Sequence, residues 1–82
     1  SALVAWAWLI DLEQGDVITV ALDGPSGPIA ENTLDPLERD KATYSAYTGK
    51  RMAVAPGTYR MQIRVERDGT AVIDEARSLT VN

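Results

Sequence analysis

The segment from Thr58 to Arg67 constrains this chain more than any other. Tyr59, Met61, Ile63 and Val65 fall on one parity; Arg60, Gln62, Arg64 and Glu66 fall on the other. Apolar and polar residues that alternate over eight positions mark a strand with one face buried and one in water. A sheet with a wet face favours antiparallel pairing, because parallel sheets are covered on both sides. Asp68-Gly69 follows at once, and an Asp-Gly pair suits a tight hairpin turn. The return strand is expected over roughly Ala71 to Val81. There Val72 and Ile73 are adjacent, and Asp74, Glu75 and Arg77 interrupt the pattern. A β-bulge near Glu75 would restore the register.

The same logic recurs earlier. Ile18, Val20 and Leu22 alternate with Val17, Thr19 and Ala21, the Gly- and Pro-dense stretch Asp23 to Pro28 makes a turn, and Ile29 to Thr33 returns. The residue identities of the two hairpins hardly match, so they share hairpin logic without being a repeat. Lys41 to Thr48 reads as a strand rich in β-formers, and Gly49 to Gly57 as a loop. Residues 3–12 read as a strand from their Trp and β-branched content and the Gly15 that follows. Asp35-Pro36-Leu37-Glu38 has the form of a capping box and predicts one short helical turn. The count is six or seven short strands with frequent turn signals, the profile of an all-β sandwich. Pro56-Gly57-Thr58-Tyr59 adds a Tyr opening a late strand after a Pro-Gly turn. It resembles the tyrosine corner of immunoglobulin-like and fibronectin-type domains. The expectation is one antiparallel β-sandwich of that type over residues 1–82.

Composition then removes most chemistry. The chain has 82 residues with no Cys and no His. Without them there is no disulfide framework, thiol nucleophile, Ser–His–Asp triad or His-ligated zinc site. Carboxylates, Lys, Tyr and hydroxyls remain, on which a two-carboxylate glycosidase is the most plausible enzyme. A domain this small has little room for a deep cleft. We therefore expect no enzyme, no catalytic or metal-ligating residue and no cofactor in this chain. The apolar run Ala2 to Ile10 is far short of the ~20 residues of a membrane helix. It also lacks the basic flank and cleavage site of a signal peptide. The chain opens directly in strand-like sequence and reads as a domain excised from a longer one.

Four residues stand out as a possible interaction surface: Trp6, Trp8, Arg60 and Arg64. Trp6 and Trp8, two apart on a strand, share a face about 6–7 Å apart along it, with Ala5, Ala7 and Leu9 opposite. If the small residues pack inward, the two rings form an exposed platform for a neighbouring domain or a sugar ring. The average burial of Trp favours the reverse, with the rings filling a core that has no Phe. Arg60 and Arg64 lie on the wet parity of their strand. They belong to a basic second half: residues 1–40 carry a net charge of −7 and residues 41–82 one of +3. Pairing across the sheet with Glu66, Asp74 or Glu75 is the preferred reading, and net acidity argues against nucleic acid. Asp11, Glu13 and Asp16 could ligate calcium, but no Asp-x-Asp-x-Asp-Gly loop is present and a solvated turn is expected. Asp35, Glu38 and Asp40 have the same two readings, with capping explaining the first two.

Several fragments together carry a resemblance. They are Ala2-Leu3-Val4-Ala5-Trp6, Gly15-Asp16-Val17, Leu22-Asp23-Gly24-Pro25, Ala30-Glu31-Asn32-Thr33, Asp35-Pro36-Leu37, Arg39-Asp40-Lys41-Ala42, Pro56-Gly57-Thr58-Tyr59-Arg60 and Arg67-Asp68-Gly69. Spread this way, they resemble the C-terminal accessory domain that follows the catalytic domain in some proteobacterial lysostaphin-type zinc metallopeptidases. The loop Lys50 to Pro56 departs from that pattern, being shorter and less aromatic. The family's His-containing zinc motif is absent, so no catalytic residue carries over. The resemblance implies a non-catalytic module of an exported cell-wall peptidase, periplasmic or secreted. Its partners would be the neighbouring catalytic domain and peptidoglycan. The alternative is a carbohydrate-binding or adhesive β-sandwich module working through Trp6 and Trp8.

Overall fold

The computed structural model describes residues 2–82. Six strands follow one another: β1 (Ala2–Leu12), β2 (Val17–Gly24), β3 (Gly27–Thr33), β4 (Lys41–Arg51), β5 (Gly57–Arg67) and β6 (Thr70–Val81). They form two antiparallel sheets, one of β1 and β4 and one of four strands in the order β3-β2-β5-β6. No helix occurs among the described residues. The core lies between the sheets. Ile18, Val20, Leu22, Ile63 and Val65 from the larger sheet meet Ala5, Leu9, Leu12 and Ala46 from the smaller, all buried. Small Ala5 and Ala46 on one wall face branched residues on the other, so the layers interdigitate closely.

The β5–β6 hairpin forms as its alternation demands. Asp68 and Gly69 both take positive φ (53° and 78°), the backbone that a two-residue turn of matching twist requires. The bulge is real but lies earlier than expected. Val65 pairs Ile73 while Glu66 pairs Ala71, so Val72 is the extra residue and not Glu75. This puts Ile73 on the inner face beside buried Val65 and leaves Val72 exposed. The remaining turns are tighter than the Gly and Pro content suggests. Only Pro25 and Ser26 separate β2 from β3, and β4 runs on through Gly49 to Arg51. Gly57 has a φ of 139°, and a Cβ there would fall 2.3 Å from Pro25 Cγ, so only glycine lets the β4–β5 loop close onto the β2–β3 turn.

The expected helical turn at Asp35–Glu38 does not form. The segment is extended and borders β2: Leu34 N–H donates to Ile18 O, Leu37 N–H to Asp16 O, and Gly15 N–H to Leu37 O. Burying Leu37 in the core outweighs the local capping preference. A second local exception lies at Asp11. Its left-handed backbone (φ 55°) breaks the alternation of β1, so Leu12 enters the core two residues after outward-facing Ile10. Asp is among the residues that tolerate this region best.

Candidate functional site

The tryptophans do not fill the core. Strand β1 turns Ala5 and Leu9 inward and Val4, Trp6, Trp8 and Ile10 outward; Trp6 is 60% exposed, Trp8 64% and Ile10 60%. The facing strand completes the surface. Tyr47, 65% exposed, stands directly opposite Trp6, with Ser45 opposite Trp8 and Gly49 opposite Val4. The physical reason is thickness: the opposing wall already carries Ile18, Val20, Ile63 and Val65, so the inner face of β1 has room for alanine and leucine but not for indole. The result is one continuous outward face of two Trp, one Tyr, one Ile and one Val on a two-stranded sheet. Its polar members are the hydroxyls of Thr43, Ser45 and Tyr47, with Arg51 opposite Ala2 at one end. Full burial of a large apolar side chain is worth about 1.5–3 kcal/mol, and covering this face would return roughly half of that for each, since each is already partly covered. Tyr47 was not singled out from sequence; its parity on β4 was visible, but the register that sets it beside Trp6 was not.

Arg60 and Arg64 belong elsewhere. They lie on the outer face of the four-stranded sheet, on the far side of the molecule from the tryptophans. Arg60 sits opposite Asp23, and Arg64 is flanked by Thr19 and Asp74. No ion pair involves either guanidinium among the described residues, and Asp74 instead accepts from Gln62 Nε2 at 2.9 Å. The four candidate residues therefore split into two unrelated surfaces, and the cross-strand ion pairing expected for the arginines does not form.

The acidic cluster before β2 is neither a solvated turn nor an array of free ligands. Asp16 is fully buried and bidentate with Arg67, which donates Nε–H to Oδ1 and Nη2–H to Oδ2, both at 2.9 Å. Glu13 N–H donates to Asp16 Oδ2 at 2.8 Å, and Glu13 Oε2 lies 2.9 Å from Arg67 Nη1. Hydrogen bonding from Arg67 holds the Asp16 carboxyl below the usual carboxylate range, against the opposing effect of burial. The same pair raises the guanidinium pKa further. Asp40 caps the neighbouring turn by accepting Gln14 N–H at 2.7 Å. This constellation ties the end of β5 to the start of β2 and is structural. Local spacing could not reveal it, because its two halves are 51 residues apart.

Tyr59 is buried and donates its hydroxyl to Ala55 O at 2.6 Å, four residues upstream. That is the bond a tyrosine corner makes. No helix among the described residues is long and apolar enough to cross a membrane. The chain matches no protein-family model, no curated protein and no solved structure.

Proposed function

We propose that this chain is a non-catalytic interaction domain whose working surface is the outer face of β1 and β4. It would serve as the accessory domain of an exported bacterial cell-wall metallopeptidase, with the catalytic domain of the same polypeptide docked on Trp6, Trp8 and Tyr47. One observation carries the reading: five large apolar side chains, each more than half exposed, share one flat face. Aromatic residues concentrate at the buried centres of protein interfaces, and an exposed patch of this kind marks an interaction site. The tyrosine-corner bond at Tyr59 supports an immunoglobulin-like classification of the sandwich. The fragments from Ala2 to Gly69 that resemble lysostaphin-type accessory domains supply the context and a periplasmic or secreted location. The absence of His and Cys from the sequence supports a non-enzymatic role.

A second reading, a sugar platform, is favoured by the spacing of Trp6 and Trp8 on one face, which suits ring stacking. Against it, only Ser45 and Thr43 lie opposite Trp8 and Ile10, and the Arg51 guanidinium stands at the far end opposite Ala2, where sugar binding needs polar groups that converge on the rings. Thermal unfolding of the intact polypeptide separates the two. Docking predicts that Trp6→Ser with Trp8→Ser uncouples the unfolding of the two domains; an unchanged profile removes it. Co-sedimentation with purified peptidoglycan, against cellulose and chitin, tests the platform. Pelleting abolished by the same double substitution would favour a sugar site over a docking face.

A further inference from the structure

The two sheets are unequal, and the inequality leaves a trench. The four-stranded sheet extends past β1, so the inner face of β6 has no strand above it. Tyr59 and Val65 point inward, and their partners across the β5–β6 ladder, Leu79 and Ile73, share that face. Between them lie Arg77 and Glu75, also facing inward from β6. Leu79 is 65% exposed for want of a cover. Three adjoining hollows of about 250, 220 and 360 Å³ run between β1 and β6, from Leu3 beside Leu79 to Ile10 beside Ile73. β1 and β6 are not hydrogen-bonded to each other, so the edge of β1 away from β4 carries a row of unpaired backbone groups.

We propose that this trench is a strand-addition site for an extended segment of a partner polypeptide. The segment adds to the free edge of β1 as the third strand of the smaller sheet and covers the inner face of β6. A two-stranded sheet is marginal by itself, and a third strand with an apolar face completes it. The eight residues of β1 that line the trench span about 25 Å, which fits a segment of seven or eight residues. Charge complementarity sets its chemistry. Neither Glu75 nor Arg77 has an ion pair among the described residues. The incoming strand therefore carries a basic side chain over Glu75 and an acidic one over Arg77, two positions apart, with apolar side chains over Ile73 and Leu79. A second copy of this chain does not fit by antiparallel pairing of β1 with β1 about a two-fold axis perpendicular to the smaller sheet. The axis would drive each copy's overhanging β6 beneath the other's β1, where β2 and β5 already lie. Trp6 and Trp8 border both surfaces, lining the hollows from the rim of β1 as well as forming the outer face, but strand addition rests on the β1 edge and the inner face of β6, and docking on the outer face alone.

The test uses two capped heptapeptides, Val-Thr-Lys-Thr-Glu-Thr-Val and Val-Thr-Glu-Thr-Lys-Thr-Val, titrated to millimolar concentration into isotope-labelled protein. Amide shifts and hydrogen exchange are followed residue by residue. The first peptide matches the charges of β6 while running antiparallel to β1, the stronger ladder; the second matches them only when parallel. The expected result is slowed exchange along β1, shifts confined to β1 and β6, and roughly fivefold tighter binding of the first peptide. Reversing both charges with Glu75→Lys and Arg77→Glu, which are exposed and leave the core untouched, should invert that preference. No change at β1 or β6 with either peptide overturns the proposal, as does a response confined to the indoles of Trp6 and Trp8. The inward charges of β6 would then serve only to discourage edge association.

Discussion

The two sheets obey the same alternation rule and end with opposite outer surfaces. Outward positions of the four-stranded sheet carry Glu31, Thr33, Thr19, Asp23, Arg60, Gln62, Arg64 and Asp74. Outward positions of the two-stranded sheet carry Val4, Trp6, Trp8, Ile10 and Tyr47. The larger sheet also has a buried ion pair fastening one end and a tyrosine bond fastening the other. The four-stranded sheet is polar on its outer face, and the two-stranded sheet is apolar on its outer face.

If the larger sheet holds the fold together, damage there should be severe. Asp16→Ala removes three hydrogen bonds to a buried carboxylate and strands the ring of donors around it. It should cost about 2–3 kcal/mol, or about 10–20 °C in Tm, by calorimetry. Acid should act through the same group. The Asp16 carboxyl sits below its ordinary range when folded, so its contribution is complete above the unfolded carboxylate pKa near 4 and is lost as pH falls through the folded value. Urea midpoints measured from pH 6 downward should fall more steeply in the native chain than in Asp16→Asn. Tyr59→Phe deletes only the hydroxyl bond to Ala55 and should cost about 1 kcal/mol in chemical denaturation.

Changes to the smaller sheet's face should barely register in stability. Trp6→Ser with Trp8→Ser should shift unfolding by within about 0.5 kcal/mol for each site, while abolishing any docking through that face. The smallest effect is expected from Arg60→Gln with Arg64→Gln, which lie on a solvated face and have no ion pair among the described residues. A fall in docking from the arginine pair equal to that from the tryptophan pair would erase the contrast between the two faces.

Much of this was legible in sequence where the signal is local. The β5–β6 hairpin follows from strict alternation and Asp68-Gly69, and the shared face of Trp6 and Trp8 follows from parity alone. Which way that face points was not legible. Average Trp burial favours the interior, and only the crowding of the opposite wall by Ile18, Val20 and Val65 decides against it. The Asp35–Glu38 capping pattern was equally local and lost to the burial of Leu37 and its bonds to β2. Asp16 and Arg67, and Trp6 and Tyr47, meet through registers that no nearby residue encodes.

Acrylamide quenching of indole emission, measured on the isolated chain and on the longer polypeptide proposed to carry it, bears most directly on docking through the aromatic face. Strong quenching of both tryptophans is expected in the isolated chain, and clear protection in the longer polypeptide if the proposed neighbouring domain covers Trp6 and Trp8. Weak quenching in the isolated chain would contradict the exposed face itself, and equal, strong quenching in both would contradict docking upon it.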